Sequence, residues 1–290
     1  MPDAYERFLA PAVFQPFAVD LAGRASAHAP RRVLELAAGT GVLTRVLLDA
    51  VASADVVATD LNEAMVDFGR QRAPGAQWQQ ADAMALPFDA GEFDLIVCQF
   101  GVMFFPDRPA AFAEARRVLT TEGSLILNAW AAVDEHAFQA ALVAGLERAL
   151  PEDPPTFMVS VPHGCADVDR LVADLRAGGL ACKTVASVRL EGRATSAADL
   201  AAGYCTGTPL RQAIEARADL EATITVVARE MEARLGSGAV SGRMTAHVIE
   251  AYLPADSDAP RRDASGCPAR STWRLHQHRH RGAPYPPHCW

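Results

Sequence analysis

The chain has 290 residues, half of them hydrophobic, which suffices for one large domain with a substantial core and lies outside the composition of disordered chains. With 35 acidic against 27 basic residues the formal net charge is −8, which argues against a nucleic-acid substrate, because phosphate binding shows as a basic surface. No apolar run approaches the roughly 20 residues needed to span a bilayer, and Met1-Pro2-Asp3-Ala4-Tyr5-Glu6 lacks the basic-then-apolar order of a secretory leader. Cys98, Cys165, Cys182, Cys205, Cys267 and Cys289 are scattered without a CxxC pair, so neither a disulfide framework nor a metal site is expected. Reduced thiols in a cytoplasmic protein are the simplest reading.

In chain order, an N-terminal segment over about 1–30 is expected to form a helical cover. Arg32-Val33-Leu34-Glu35-Leu36 then reads as a first strand, and Val42 to Ala50 as the helix after it. Asp55 to Thr59 is a second strand, and Asn62 is a good N-cap for a helix reaching about Gln71. Gln77 to Gln80, Phe93 to Cys98 and Ser124 to Trp130 supply three more strands. A helix over Ala110 to Leu119 and a turn at Thr121-Glu122-Gly123 stand between the last two. Strands alternating with helices imply parallel βαβ units and a doubly wound sheet.

The second half is mostly helical. His136 to Leu150 and Val168 to Ala177 have helical periodicity, and Lys183 to Leu190 reads as a strand. A long helical stretch from about Ser196 to Leu235 precedes a last strand, Met244 to Tyr252. The expected fold is therefore α/β, a Rossmann-like, mostly parallel, seven-stranded sheet with a helical insertion before the last strand. The domain spans 1–254, with the insertion, about 196–235, as a lid over an acceptor site. From 255 to 290 periodicity vanishes and Arg, Pro, Ala and His dominate, as a shifted frame of a GC-rich gene would encode. A disordered tail is expected there.

The chemistry concentrates at Glu35-Leu36-Ala37-Ala38-Gly39-Thr40-Gly41, a glycine-rich turn between strand and helix. Such a turn lets a ligand approach the backbone, and the helix N-terminus offers free N–H groups and a positive dipole end. Alone it is equally a tight structural bend. Asp60, about 20 residues on, ends the second strand, where a carboxylate can accept both hydrogen bonds of a ribose diol. Asp82 follows the third strand, in place for an adenine amino group. A nicotinamide site is the rival, but aligning Gly39 and Gly41 with GxGxxG puts Thr44 at the third glycine. Glu35 has no use there, whereas a cationic methionyl group would gain from it.

Val33-Leu34-Glu35-Leu36-Ala37-Ala38-Gly39-Thr40-Gly41 resembles the first motif of class I S-adenosylmethionine (SAM)-dependent methyltransferases. Thr59-Asp60-Leu61-Asn62-Glu63-Ala64-Met65, Ala81 to Phe88, Phe93 to Phe100, and Arg117-Val118-Leu119 followed by Gly123-Ser124-Leu125 are similar to the segments after it. The likeness covers about 30–130 and is similar to the small-molecule branch that includes quinone-biosynthesis methyltransferases. It implies SAM as cofactor, with Glu35 orienting the loop and the methionyl amino group, and Ala37, Gly39, Thr40 and Gly41 forming the loop. By the same resemblance Asp60 holds the ribose, Leu61 and Met65 flank the adenine, Asp82 and Ala83 border it, and Gln99 lies near the methionyl end. Ala37 departs from the family's usual glycine.

Gln99-Phe100-Gly101-Val102 is not the Asn/Asp-Pro-Pro-Tyr pattern of enzymes that methylate bases in nucleic acids, so a small-molecule methyl acceptor is expected. Candidate pocket residues are Phe100, Met103, Phe104, Trp130 and Tyr204, each also plausible as core, and His163 is the candidate base or a loop cap. Tyr5 and Phe8 are candidates to fold over the cofactor. The alternatives are a nicotinamide-dependent oxidoreductase and a SAM-fold module that binds without catalysis.

Overall fold

The structure, a computed structural model, describes residues 2–254, so the 255–290 tail lies outside the described residues. Seven strands, β1 Arg32–Glu35, β2 Asp55–Asp60, β3 Gln77–Gln80, β4 Phe93–Gln99, β5 Leu119–Trp130, β6 Ala181–Ala194 and β7 Val240–Tyr252, form one sheet. Their order is β3-β2-β1-β4-β5-β7-β6, with β1 to β5 parallel and β7 antiparallel to both β5 and β6. The order reverses between β1 and β4, the switch point beside which doubly wound sheets bind ligands at their carboxyl ends. The expected α/β architecture is the observed one.

Alternation along the central strands supplies two apolar layers. Val33, Leu95, Val97 and Ile126 pack with Ala18 and Leu21 of helix Gln15–Ser26 and Leu43 and Leu47 of helix Val42–Ala50. Leu34, Ile96, Leu125 and Leu127 face the other way, into a layer holding Phe112 and Val118 of helix Arg108–Val118. Asn62 caps helix Glu63–Arg72, its Oδ1 accepting from Ala64 N–H at 2.9 Å.

Three local readings are refined. The expected helical stretch is three helices, Ala197–Gly207, Leu210–Glu215 and Leu220–Leu235. It breaks at Thr208-Pro209 and restarts where Asp219 accepts from Ala222 N–H at 2.8 Å. Leu200, Val227 and Met231 of these helices are fully buried, so the insertion contributes to the main core. The last two strands are longer than their apolar runs, pairing from Ala181↔Tyr252 to Ala194↔Val240, because exposed Arg189, Glu191 and Arg193 alternate along the edge strand. Residues Thr121-Glu122-Gly123 are within β5, whose register against β4 shifts between Phe93 and Leu95. Within the expected N-terminal helical cover, Tyr5–Phe14 is a π-helix containing Pro11, a wide-turn form frequent at functional sites.

Trp78 of β3 carries the edge of the sheet under the glycine turn. Its Nε1–H donates to Ala73 O at 3.0 Å, and its ring lies 3.1 Å from where a Cβ on Gly41 would stand. A Cβ on Gly69 would fall 2.1 Å from the same ring. Gly69→Ala should therefore destabilise the chain by about 1–3 kcal/mol despite alanine's better helix propensity. Thermal unfolding should drop by several degrees; an unchanged melting temperature contradicts the wedge.

Candidate active site

The glycine turn is stitched to the carboxyl ends of its neighbours. Leu36 N–H donates to Val97 O at 2.9 Å and Ala38 N–H to Thr59 O at 2.9 Å, tying the turn to β4 and β2. Asp60 Oδ2 accepts from Gly39 N–H at 2.8 Å and its Oδ1 from Asn62 N–H at 2.9 Å. Gly39 has φ +56°, and a Cβ there would meet nothing within 4 Å, so the backbone stands open to a ligand. Ala37 also has positive φ, +52°. Its methyl occupies the space a Cβ on residue 101 would need, 2.5 Å away, so the absent side chain of Gly101 makes room for the extra one at 37.

Two carboxyl groups converge beneath this turn. Glu35 is 1% exposed, and burial pushes its carboxyl up to about 8. The Thr44 hydroxyl, donating to Oε2 at 2.7 Å, opposes that rise, as does Arg45, while the nearby charge of Asp60 adds to it. Burial also raises Asp60, against the N–H groups of Asn62 and Gly39. The resemblance had Glu35 orient the loop; here its carboxyl engages Thr44, and Asp60 holds the loop amide. Among the described residues Thr40 Oγ1, on the glycine turn, and Gln99 Oε1, at the end of β4, are buried without a partner, two polar atoms left for a ligand. Asp82 and Ala83 lie on a tight turn in which Asp82 Oδ1 accepts from Met84 N–H at 2.8 Å. Leu61 is exposed and Met65 half-buried, at the entrance to and in the first turn of helix Glu63–Arg72.

The π-helix is tied to the same turn. Arg45 donates to Glu6 Oε1 at 2.6 Å and to Thr40 O at 3.2 Å. Tyr5 packs on Phe14, ring centroids 4.9 Å apart, and a Cβ on Gly207 would lie 2.7 Å from Tyr5 N. Burial pushes the Tyr5 phenol well up, reinforced by Glu6, Tyr204 and Asp60. Tyr204 is thus close enough to Tyr5 for the two phenols to influence each other's ionisation.

Phe100, just past β4, has φ +51°, an uncommon conformation for a bulky residue, held by its N–H donating to Asn128 Oδ1 at 2.9 Å. It stacks on Trp130 at 3.5 Å and 9° between planes. Met103 is buried and Phe104 half-buried on the adjoining turn Val102–Phe104. Trp130 in turn meets His136 edge-on at 5.2 Å and His163 at 6.3 Å. Burial pushes His163 down to about 4 and His136 to about 3.

The structure therefore brings Phe100, Trp130 and His163 together. Sequence reasoning passed over Asn128 and His136, although a lone Asn inside Leu125-Ile126-Leu127-Asn128-Ala129 is a polar residue a buried strand keeps only for a partner. The ion pair of Glu6 with Arg45 left no trace in spacing.

A family profile described as a methyltransferase domain matches residues 33–123. A demethylmenaquinone methyltransferase of Deinococcus radiodurans is 38% identical over 110 residues, 37% of this chain and 46% of that protein. One of Thermus thermophilus is 36% identical over 138 residues, 46% of this chain and 61% of its own. The chain thus spans about half the length of these relatives. Among solved structures, the YcgJ protein of Bacillus subtilis aligns with TM-score 0.52 at 19% identity, over 81% of this chain and 97% of that one. With its strand order, the chain has the class I methyltransferase fold, and residues 33–123 within it are similar to a methyltransferase domain.

Glu35 makes stability depend on pH. Its carboxyl stays protonated in the folded chain up to about pH 8, whereas in the unfolded chain it ionises near 4.5. Stability is therefore lost as pH climbs from 4.5 towards 8, and levels off above that. Glu35→Gln removes the dependence: its gain in melting temperature over the parent should grow by roughly 5 °C or more between pH 5.5 and 8.5. A gain independent of pH would mean that Glu35 is ionised in the folded chain.

Proposed function

We propose that the chain binds SAM on the glycine turn and transfers its methyl group to a small-molecule acceptor in the cytoplasm. The observation that carries this reading is the pair of carboxyl groups, buried Glu35 and half-buried Asp60, at the ends of adjacent strands below an open Gly39 backbone. Asp60 retains acceptor capacity on both oxygens for a ribose diol after taking the Gly39 and Asn62 amides. Glu35 supplies a counter-charge for a cationic methionyl end, and Thr40 Oγ1 and Gln99 Oε1 await partners there. Leu61, Met65, Asp82 and Ala83 border the adenine. A nicotinamide would have no use for Glu35, and Thr44, at the third-glycine position, is spent on holding it.

When bound, SAM supplies an electrophilic methyl group on sulfur, and its transfer to a hydroxyl leaves the C–S electron pair on sulfur and releases one proton. The protein's part is alignment and exclusion of water. Tyr5 and the Glu6–Arg45 pair close over the turn, and helices Ala197–Gly207, Leu210–Glu215 and Leu220–Leu235 serve as the lid on the acceptor side. The named activity of the relatives supports an acceptor of the quinone-precursor kind.

Titration calorimetry should show SAM binding and no NAD binding, with Asp60→Asn weakening SAM about 10-fold or more, as expected for charged hydrogen bonds. Binding of NAD in preference to SAM overturns the reading. Radiolabelled methyl transfer to phenols and quinols separates an enzyme from a module that only binds.

A further inference from the structure

A second set of buried polar atoms sits beyond the Phe100–Trp130 stack, on elements outside the cofactor turn. His163, 5% exposed, places Nδ1 2.8 Å from Ala131 O. A carbonyl only accepts, so Nδ1 carries the hydrogen and Nε2 is left with a bare lone pair. That Nε2 is buried and has no partner. Its neighbour His136, ring centroid 4.5 Å away, is fully buried, and its two ring nitrogens make no well-formed hydrogen bond, although the carbonyls of Ala131 and Thr245 lie beside it. Thr245 Oγ1 is a further buried oxygen without a partner.

A buried acceptor left without a partner costs about 1–3 kcal/mol, a cost that a donor arriving with a ligand would relieve. Burial holds both rings neutral at physiological pH, which keeps the lone pair available. The walls next to it are aromatic and strained: Trp130 touches both histidines and stacks on Phe100, whose backbone Asn128 holds at positive φ. Apolar rings beside one fixed acceptor atom suit a flat aromatic ligand with a single donor group.

We propose that His163 is a catalytic residue whose Nε2 receives the hydroxyl hydrogen of a hydroxylated aromatic acceptor seated against Phe100 and Trp130. The inference rests on the methyl-transfer reading above and names the acceptor of that site. As the hydroxyl oxygen forms its bond to the methyl carbon, it keeps the O–H electron pair, and the proton passes to Nε2. Imidazole is a weak base here, but the acceptor oxygen becomes strongly acidic as it acquires the methyl group, so the transfer is downhill late in the step. His136 packs edge-on against the His163 ring, centroids 4.5 Å apart.

Histidine-selective ¹⁵N NMR on the full chain, with S-adenosylhomocysteine present, tests this directly. The His163 spectrum should show the Nδ1–H tautomer. Its Nε2 resonance should shift on adding at least one of 1-naphthol, catechol or 4-nitrophenol, and not with 1-methoxynaphthalene, which lacks the donor. His163→Gln should lower methyl transfer to the responding phenol about a hundredfold or more while leaving SAM affinity unchanged. An Nε2 resonance unmoved by all three phenols in a protein that binds SAM overturns the proposal and spares the methyltransferase reading. Failure of the parent chain to bind SAM overturns both. The NMR titration needs no variant, so it decides the matter even where His163→Gln fails to fold.

Discussion

Two carboxyl groups that a folded chain would ordinarily keep apart, Glu35 and Asp60, end neighbouring parallel strands under one glycine turn. Burial opposes the ionisation of both, and the charge of Asp60 adds to the cost at Glu35. The surrounding structure is arranged to hold them in place. Asp60 secures the Gly39 and Asn62 amides, and Thr44 in the first turn of the next helix donates to Glu35. Arg45, one residue on, reaches back to the turn at Thr40 and outward to Glu6, so the cation nearest the pair also fastens the N-terminal π-helix over it. A site whose carboxyl burial holds uncharged is prepared for a cation, beside which that carboxyl can ionise.

On the acceptor side the constraint is steric and aromatic. Asn128 bonds the Phe100 amide, Phe100 stacks on Trp130, and Trp130 meets the two histidines. Each link spans two elements of different origin: the end of β4, the end of β5, and the loops beyond it. The helices between β6 and β7 join the main core through buried Leu200, Val227 and Met231.

The sheet was legible because its signal is local. Alternating apolar runs, Asn62 as a cap and glycines at a strand-to-helix turn each act within a few residues of themselves. The proposed cofactor positions Glu35, Gly39 and Asp60 stood out for the same reason, being polar or small residues at or just past strand ends. What escaped depends on partners distant in sequence. The hydrogen bond from Thr44 to Glu35 crosses nine residues, the Glu6–Arg45 pair 39, and the bond from Phe100 to Asn128 28. The compensation between Ala37 and Gly101 needs two chain segments at contact distance to be visible at all. The edge ladder of β6 on β7 outran its apolar run because backbone pairing, unlike side-chain patterning, continues through alternating arginines and glutamates.

The central claim is that Glu35 is protonated in the free chain and becomes a carboxylate when a cationic ligand is seated. SAM titrations at pH 7 in buffers of different ionisation enthalpy count the protons exchanged on binding. With the Glu35 carboxyl at about 8 in the free chain, binding should release close to one proton per SAM, and Glu35→Gln should abolish that release. Equal proton release from parent and variant, or none from the parent, would contradict the account.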